Sequence, residues 1–165
     1  MNVVEADAMA VGRLLQLITP APDALEQEAV RDAVQAARDQ DLPLMWAVYQ
    51  LGRDEAVFAA EWPDVFSLVE QLRMVAANWQ ADVFFGVQEA EDEALVFECD
   101  PRWLLQVAAR ELSGYGLALW RWQGDNPDLC LGFVCREEDG DLLLQCATAL
   151  EARLLRVEDE DWEEA

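Results

Sequence analysis

The stretch Leu117-Ala118-Leu119-Trp120-Arg121-Trp122, followed after Gln123-Gly124-Asp125-Asn126-Pro127-Asp128 by Leu129-Cys130-Leu131-Gly132-Phe133-Val134-Cys135, decides the fold of this chain. Two short apolar runs flank a segment rich in turn formers, the pattern of a β-hairpin with a long turn. Side chains alternate across a strand, so Leu129, Leu131, Phe133 and Cys135 share one face while Cys130, Gly132 and Val134 share the other. Apolar residues on both faces mean either that the sheet is covered on two sides or that one face is kept for a partner. Trp120 and Trp122 share a face, with Arg121 opposite. Such a pair can stack on a sugar, a base or a partner's side chain, or it can pack under helices as core.

Working outward, Asp139-Gly140 makes the next turn, Asp141 to Leu150 reads as a helix and Arg153 to Val157 as a last strand. Upstream, Asp100 caps a helix with Pro101 at its first position, and Leu104, Ala108 and Leu112 lie on one face before Ser113 and Gly114 end it. Val83 to Val87 reads as a strand, followed by a solvated loop holding Glu89, Glu91, Asp92 and Glu93. Ala56 to Glu61 reads as a strand, and Pro63 as the first position of an amphipathic helix with Val65, Leu68, Val69, Leu72, Ala76 and Trp79 along one stripe. Leu44 to Leu51 fits either a buried helix or a strand. Asp23 with Glu26 resembles a capping box, predicting a helix over Ala24 to Asp39, and Leu14 to Ile18 predicts a short helix that ends at Pro20 and Pro22.

The expectation is one α+β domain over residues 1–157, with a small, mostly antiparallel sheet (strands near 56–61, 83–87, 117–122, 129–135 and 153–157) and about five helices. Residues 158–165, with six acids and no base, read as a disordered tail.

The segment Leu112-Ser113-Gly114-Tyr115-Gly116-Leu117-Ala118-Leu119, the Asp-containing turn, Leu129-Cys130-Leu131-Gly132-Phe133-Val134 and the helix after it are similar to an uncharacterised family of bacterial domains of unknown function. Glu61-Trp62-Pro63-Asp64 extends the resemblance to about Ala56 to Val157. It implies the same order of α and β elements and carries no activity.

Composition bounds function mainly by exclusion. All 11 basic residues are Arg, and neither Lys nor His occurs. Nucleophile systems and zinc sites that use His are excluded, as are Lys Schiff bases and the phosphate-binding lysines of nucleotide enzymes. Isoleucine occurs once and Asn three times, so the codon usage of a GC-rich genome accounts for Arg in place of Lys. Carboxylate chemistry remains: acid and base pairs, or Mg²⁺ held by carboxylates. A calcium loop through Glu137, Asp139, Gly140 and Asp141 fails, because its first and twelfth positions fall on Cys135 and Cys146. Gly114-x-Gly116 leads into a strand and has Leu119 at the third glycine position, so it is no nucleotide site. Cys130 and Cys135 point to opposite faces of one strand and cannot share a metal; all four cysteines read as free thiols. No cofactor or metal is expected.

The net charge is −23, and removing the six tail acids leaves −17 on the body. That charge repels phosphate, so direct nucleic-acid binding is not expected. No membrane span and no basic N-terminal export signal are read, so the expected location is cytoplasmic. Oligomeric state is not legible. The function these features favour is a non-catalytic, immunity-like inhibitor or binding protein that engages a basic protein partner. The candidate contacts are Glu89, Glu91, Asp92 and Glu93, then Glu137, Glu138, Asp139 and Asp141, and Trp162 as a tail anchor. The alternatives are a carboxylate-dependent hydrolase or small-ligand domain using the Trp120 and Trp122 face, and a nucleic-acid mimic. The bland account is that the acids keep an apolar body in solution.

Overall fold

The hairpin forms as read. Strand β2 (Leu117–Trp122) pairs antiparallel with β3 (Leu129–Arg136), placing Trp120 opposite Phe133 and Trp122 opposite Leu131. The computed structural model describes residues 2–20, 26–53, 55–87, 89–124 and 126–160. Strand β1 (Val57–Glu61) lies on the far side of β3, and β4 (Leu154–Arg156) on the far side of β2. The order β1-β3-β2-β4 is antiparallel throughout.

Both faces of this sheet are covered. On one, helices α1 (Val3–Leu17), α2 (Gln27–Asp39), α3 (Met45–Gly52) and α7 (Gly140–Ala149) bring Val11, Leu14, Val34, Met45, Val48 and Leu143 onto Trp120, Trp122, Leu131, Phe133 and Cys135. On the other, α4 (Val65–Asn78) and α6 (Pro101–Ser113) bring Leu68, Val69, Leu72, Leu104, Leu105 and Ala108 onto Phe58, Leu119, Cys130 and Val134. The two residue sets are those that strand alternation separates, so the two-sided apolar pattern belongs to a central sheet in a three-layer α+β domain. No polar or charged residue among those described is fully buried.

Local signals explain the element ends. Asn2 accepts from the Glu5 N–H at 2.8 Å, and Asp100 accepts from the Arg102 N–H at 2.8 Å, each capping its helix. Strand β1 is an edge, yet the Gln71 side chain of α4 both accepts from the Ala59 N–H and donates to the Ala59 carbonyl, each at 2.7 Å. It thereby occupies the groups that another strand would use. No helix among the described residues is long and apolar enough to cross a membrane.

Several sequence expectations need correction. Val83 to Val87 is not a strand. The alternation is real, with Val83 and Phe85 buried and Phe84 exposed. However, Phe85 and Gly86 take left-handed φ values of 52° and 77°, and the Glu111 carboxylate accepts the Phe84 and Phe85 N–H groups. A side chain has taken the place of a partner strand. The acidic segment is helical, with a 3-10 turn at Ala90–Asp92 leading into α5 (Glu93–Val96), so it is not an open loop. Helix α4 is capped by Asp64, which accepts from the Ser67 N–H at 3.1 Å, and Pro63 stands just outside it. The stretch Leu44 to Leu51 is helical from Met45 onward, in α3, and α1 is much longer than the short helix read there, so the described residues form seven helices and four strands. Asp23, read as a cap, lies outside the described residues. The folded part runs past Val157: a 3-10 turn spans Val157–Asp159, and Glu160 is fastened to the sheet.

Candidate functional site

The acidic segments named from the sequence are far apart in the chain but share anchors in the fold. Arg73 of α4 pairs with Glu93 at 2.5 Å, donates to the Val83 carbonyl at 3.3 Å and lies over the Phe85 ring. Six residues further on, about 9 Å by helical rise, Trp79 at the C-terminal cap of α4 receives the Arg136 guanidinium over its ring at 5.2 Å. Arg136 leads directly into the 3-10 turn Glu137–Asp139. Arg156 of β4 pairs with Glu137 at 2.8 Å and with Glu158 at 3.2 Å, and the Glu137 carboxylate raises its already high pKa further. The segments around Glu93, Glu137 and Glu158 are thus tied to one another through α4, Trp79 and Arg156. Glu89, Glu91, Asp92, Glu138 and Asp141 are exposed, and neither they nor Asp139 has an ion-pair partner among the described residues.

The tail begins at a second anchor. Arg121 and Glu160 form a pair joined by three hydrogen bonds, with Nη2 to Oε1 at 2.6 Å and Nε to both oxygens at 2.9 Å. Arg121 also lies over the Trp62 ring at 5.8 Å, and Gln106 donates to the Glu160 carbonyl at 2.8 Å. Both charged side chains are largely buried, which gives the pair more weight than a surface ion pair. Sequence reading placed Arg121 on the face opposite the two tryptophans but missed its partner 39 residues away. Trp162 lies outside the described residues.

The Trp120 and Trp122 face is not an open platform. Trp120 is 5% exposed and Trp122 9%, beneath the α1, α3 and α7 layer. What does open to solvent is a cleft of about 400 Å³ beside Trp122, walled by Trp46 of α3, Leu42, Pro43, Leu129 and Asp41. The Trp46 and Trp122 rings meet at 84° with centroids 6.4 Å apart. Next to it, and sharing Asp41, Leu42, Pro43, Trp122 and Gly124, lies a hollow of about 590 Å³ that reaches Glu151 and Arg153 beyond the end of α7. Sequence reading missed Asp41, Trp46 and Glu151. The signal for the two acids was present in helices that stop without a glycine.

The strand cysteines divide as alternation requires, Cys130 toward α4 and α6 and Cys135 toward the other helical layer. Burial pushes each thiol up to about 12. Among the described residues no group of three or more Cys, Asp or Glu is placed to hold a metal ion.

Residues 10–158 match the family described as a domain of unknown function, DUF6630. The chain belongs to the DUF6630 family. The match starts inside α1 and ends in the last 3-10 turn, so the DUF6630 unit takes in both helical layers and is wider than the 56–157 resemblance seen in the sequence. No curated protein and no solved structure matches the chain.

Proposed function

We propose that this DUF6630 domain is a non-catalytic binding protein that captures a basic protein partner through its acidic surface. The observation that carries this reading is the linkage of three acidic segments, around Glu93, Glu137 and Glu158, through α4, Trp79 and Arg156. Such a linkage turns sequence-distant charge into a surface fixed by the fold. Glu138, Asp139 and Asp141 are left over for a cationic partner, whose association would be fast and weakened by salt.

The test compares capture from native cell extract by the wild-type chain with capture by Glu138→Gln/Asp139→Asn/Asp141→Asn, followed by affinity measurement on the purified partner across a salt series. A basic partner held by the wild type and released by the variant, with a shallower salt dependence for the variant, supports the reading. Equal recovery by both chains, or capture with no preference for basic proteins, sinks it. The cleft beside Trp122 favours a second reading, a small-ligand-binding domain.

A further inference from the structure

Three features of the cleft beside Trp122 concern a ligand, and the acidic surface shares none of its residues. The first is shape. The aromatic lobe and the adjoining hollow, at about 400 and 590 Å³, fall in the range of small-molecule sites. The second is the lining of the aromatic lobe, where the Trp46 and Trp122 rings stand near a right angle. The two indoles meet edge to face, with Trp46 the more exposed of the two, and an open indole face attracts organic cations. Among the described residues that line this lobe, Asp41 is the one with a charge.

The third concerns how Asp41 and Glu151 are held. Helices α2 and α7 both end in a Schellman turn. The Leu42 N–H donates to the Ala37 carbonyl and the Asp41 N–H to Arg38, while the Ala152 N–H donates to Ala147 and the Glu151 N–H to Thr148. The left-handed position of such a turn favours glycine, yet it is Asp41 at φ 56° and Glu151 at φ 55°. A carboxylate there is disfavoured twice, by the Cβ in left-handed backbone and by the negative end of the helix dipole. Helix α4 ends the same way, with the Ala81 N–H donating to Ala76, but its left-handed residue is the neutral Gln80. The two acidic versions both line the hollow that adjoins the tryptophans. Two arginines line it as well. Arg38 is bonded to Asp7, and Arg153 shares the hollow with Asp41 and Glu151.

We propose that this cleft binds a small organic cation, an alkylated ammonium or guanidinium group, with its apolar portion against Trp46, Trp122 and Leu42 and its charge toward Asp41. Glycine in place of Asp41 or Glu151 would suit the backbone better, and the acids stand there for the ligand. The same chemistry is carried by free amines and by Lys or Arg side chains of a protein, and the probes separate the two.

The test titrates wild type, Asp41→Gly and Glu151→Gly with choline, with its uncharged isostere 3,3-dimethylbutanol, with arginine amide, and with an arginine-containing tetrapeptide amide. Binding is followed by indole fluorescence and calorimetry, and each variant is also melted. The expected results are saturable binding of a free cation, at least about tenfold weaker binding of the isostere, and weaker cation binding by Asp41→Gly. Both glycine variants should melt higher than the wild type, by about 2–4 °C, so that lost binding cannot be ascribed to a damaged fold. Tetrapeptide binding tighter than free arginine amide assigns the cleft to a protein side chain. Equal binding of choline and its isostere, no saturable response to any cation, or unchanged affinity in Asp41→Gly overturns the proposal. Wild-type behaviour of the Glu138/Asp139/Asp141 variant toward choline would separate this site from the acidic surface.

Discussion

Replacing Gly132 by alanine strikes the sheet where its two faces leave least room. A Cβ there would lie 2.3 Å from the Trp120 carbonyl oxygen and 2.6 and 2.9 Å from two ring carbons of Phe58. The carbonyl belongs to the β2–β3 pairing, in which Gly132 stands opposite Arg121, so it cannot retreat without loosening the ladder. Phe58 stands opposite Gly132 from β1 and is fully buried against α4 and α6, so its ring has nowhere to turn. Overpacking costs about 1–3 kcal/mol where side chains can adjust. A main-chain clash belongs at the upper end, and the lower chain entropy of alanine in the unfolded state returns about 0.4–1 kcal/mol. A net loss of about 2–3 kcal/mol lowers the melting temperature of a chain this long by about 4–12 °C. Differential scanning calorimetry on the purified variant reads this directly. The double variant Phe58→Leu/Gly132→Ala should lose less than the sum of the singles, because the smaller side chain frees space beside the new methyl. A Gly132→Ala protein that melts within about 2 °C of wild type, or a double variant that is strictly additive, would refute the packing argument.

Three further outcomes are expected. With a net charge of −23 on one small domain, raising salt from low to physiological ionic strength should raise the melting temperature by screening self-repulsion; a flat or falling series in scanning fluorimetry contradicts this. Glu160→Gln should cost about 1–2 kcal/mol of stability, read as a lower urea midpoint, since it removes the charged acceptor of three hydrogen bonds from the largely buried Arg121. Arg121→Met should erase most of that extra cost in a double-mutant cycle. The Cys130 and Cys135 thiols ionise near 12 in the fold against an ordinary value of 9.0, so the unfolded chain loses these protons first as pH rises. Their contribution is therefore complete below pH 9 and falls between 9 and 12, by roughly 1 kcal/mol per pH unit for each thiol. Denaturant midpoints that hold steady over that window, or native-state labelling of Cys130 before Cys99, would count against it.

The hairpin shows why much of the fold was legible. Alternation in Leu129 to Cys135 and the 3.6-residue stripes from Val65 and from Pro101 are local signals, and they survive because packing agrees with them. Val83 to Val87 shows where such signals stop. Its alternation was sound, but a strand requires a partner, and whether backbone N–H groups meet a strand or the Glu111 carboxylate is settled by contacts 26 and 27 residues away. The candidate acidic residues were legible as charges on exposed turns, whereas their linkage through Arg73, Trp79 and Arg156 was not, because each pairing joins residues remote in the chain.

By itself the sequence determined the α+β class, the central hairpin, the opposite facing of Cys130 and Cys135, the excess of acid and the absence of Lys and His. These depend on composition and on the two backbone periods, which any segment carries within itself. Tertiary structure alone decided that both sheet faces are covered, that Trp120 is core while Trp122 borders a cleft, and that Asp41 and Glu151 share a hollow at the ends of two helices. Those depend on which surfaces meet, and burial is a property of the meeting, so no window of the chain contains it.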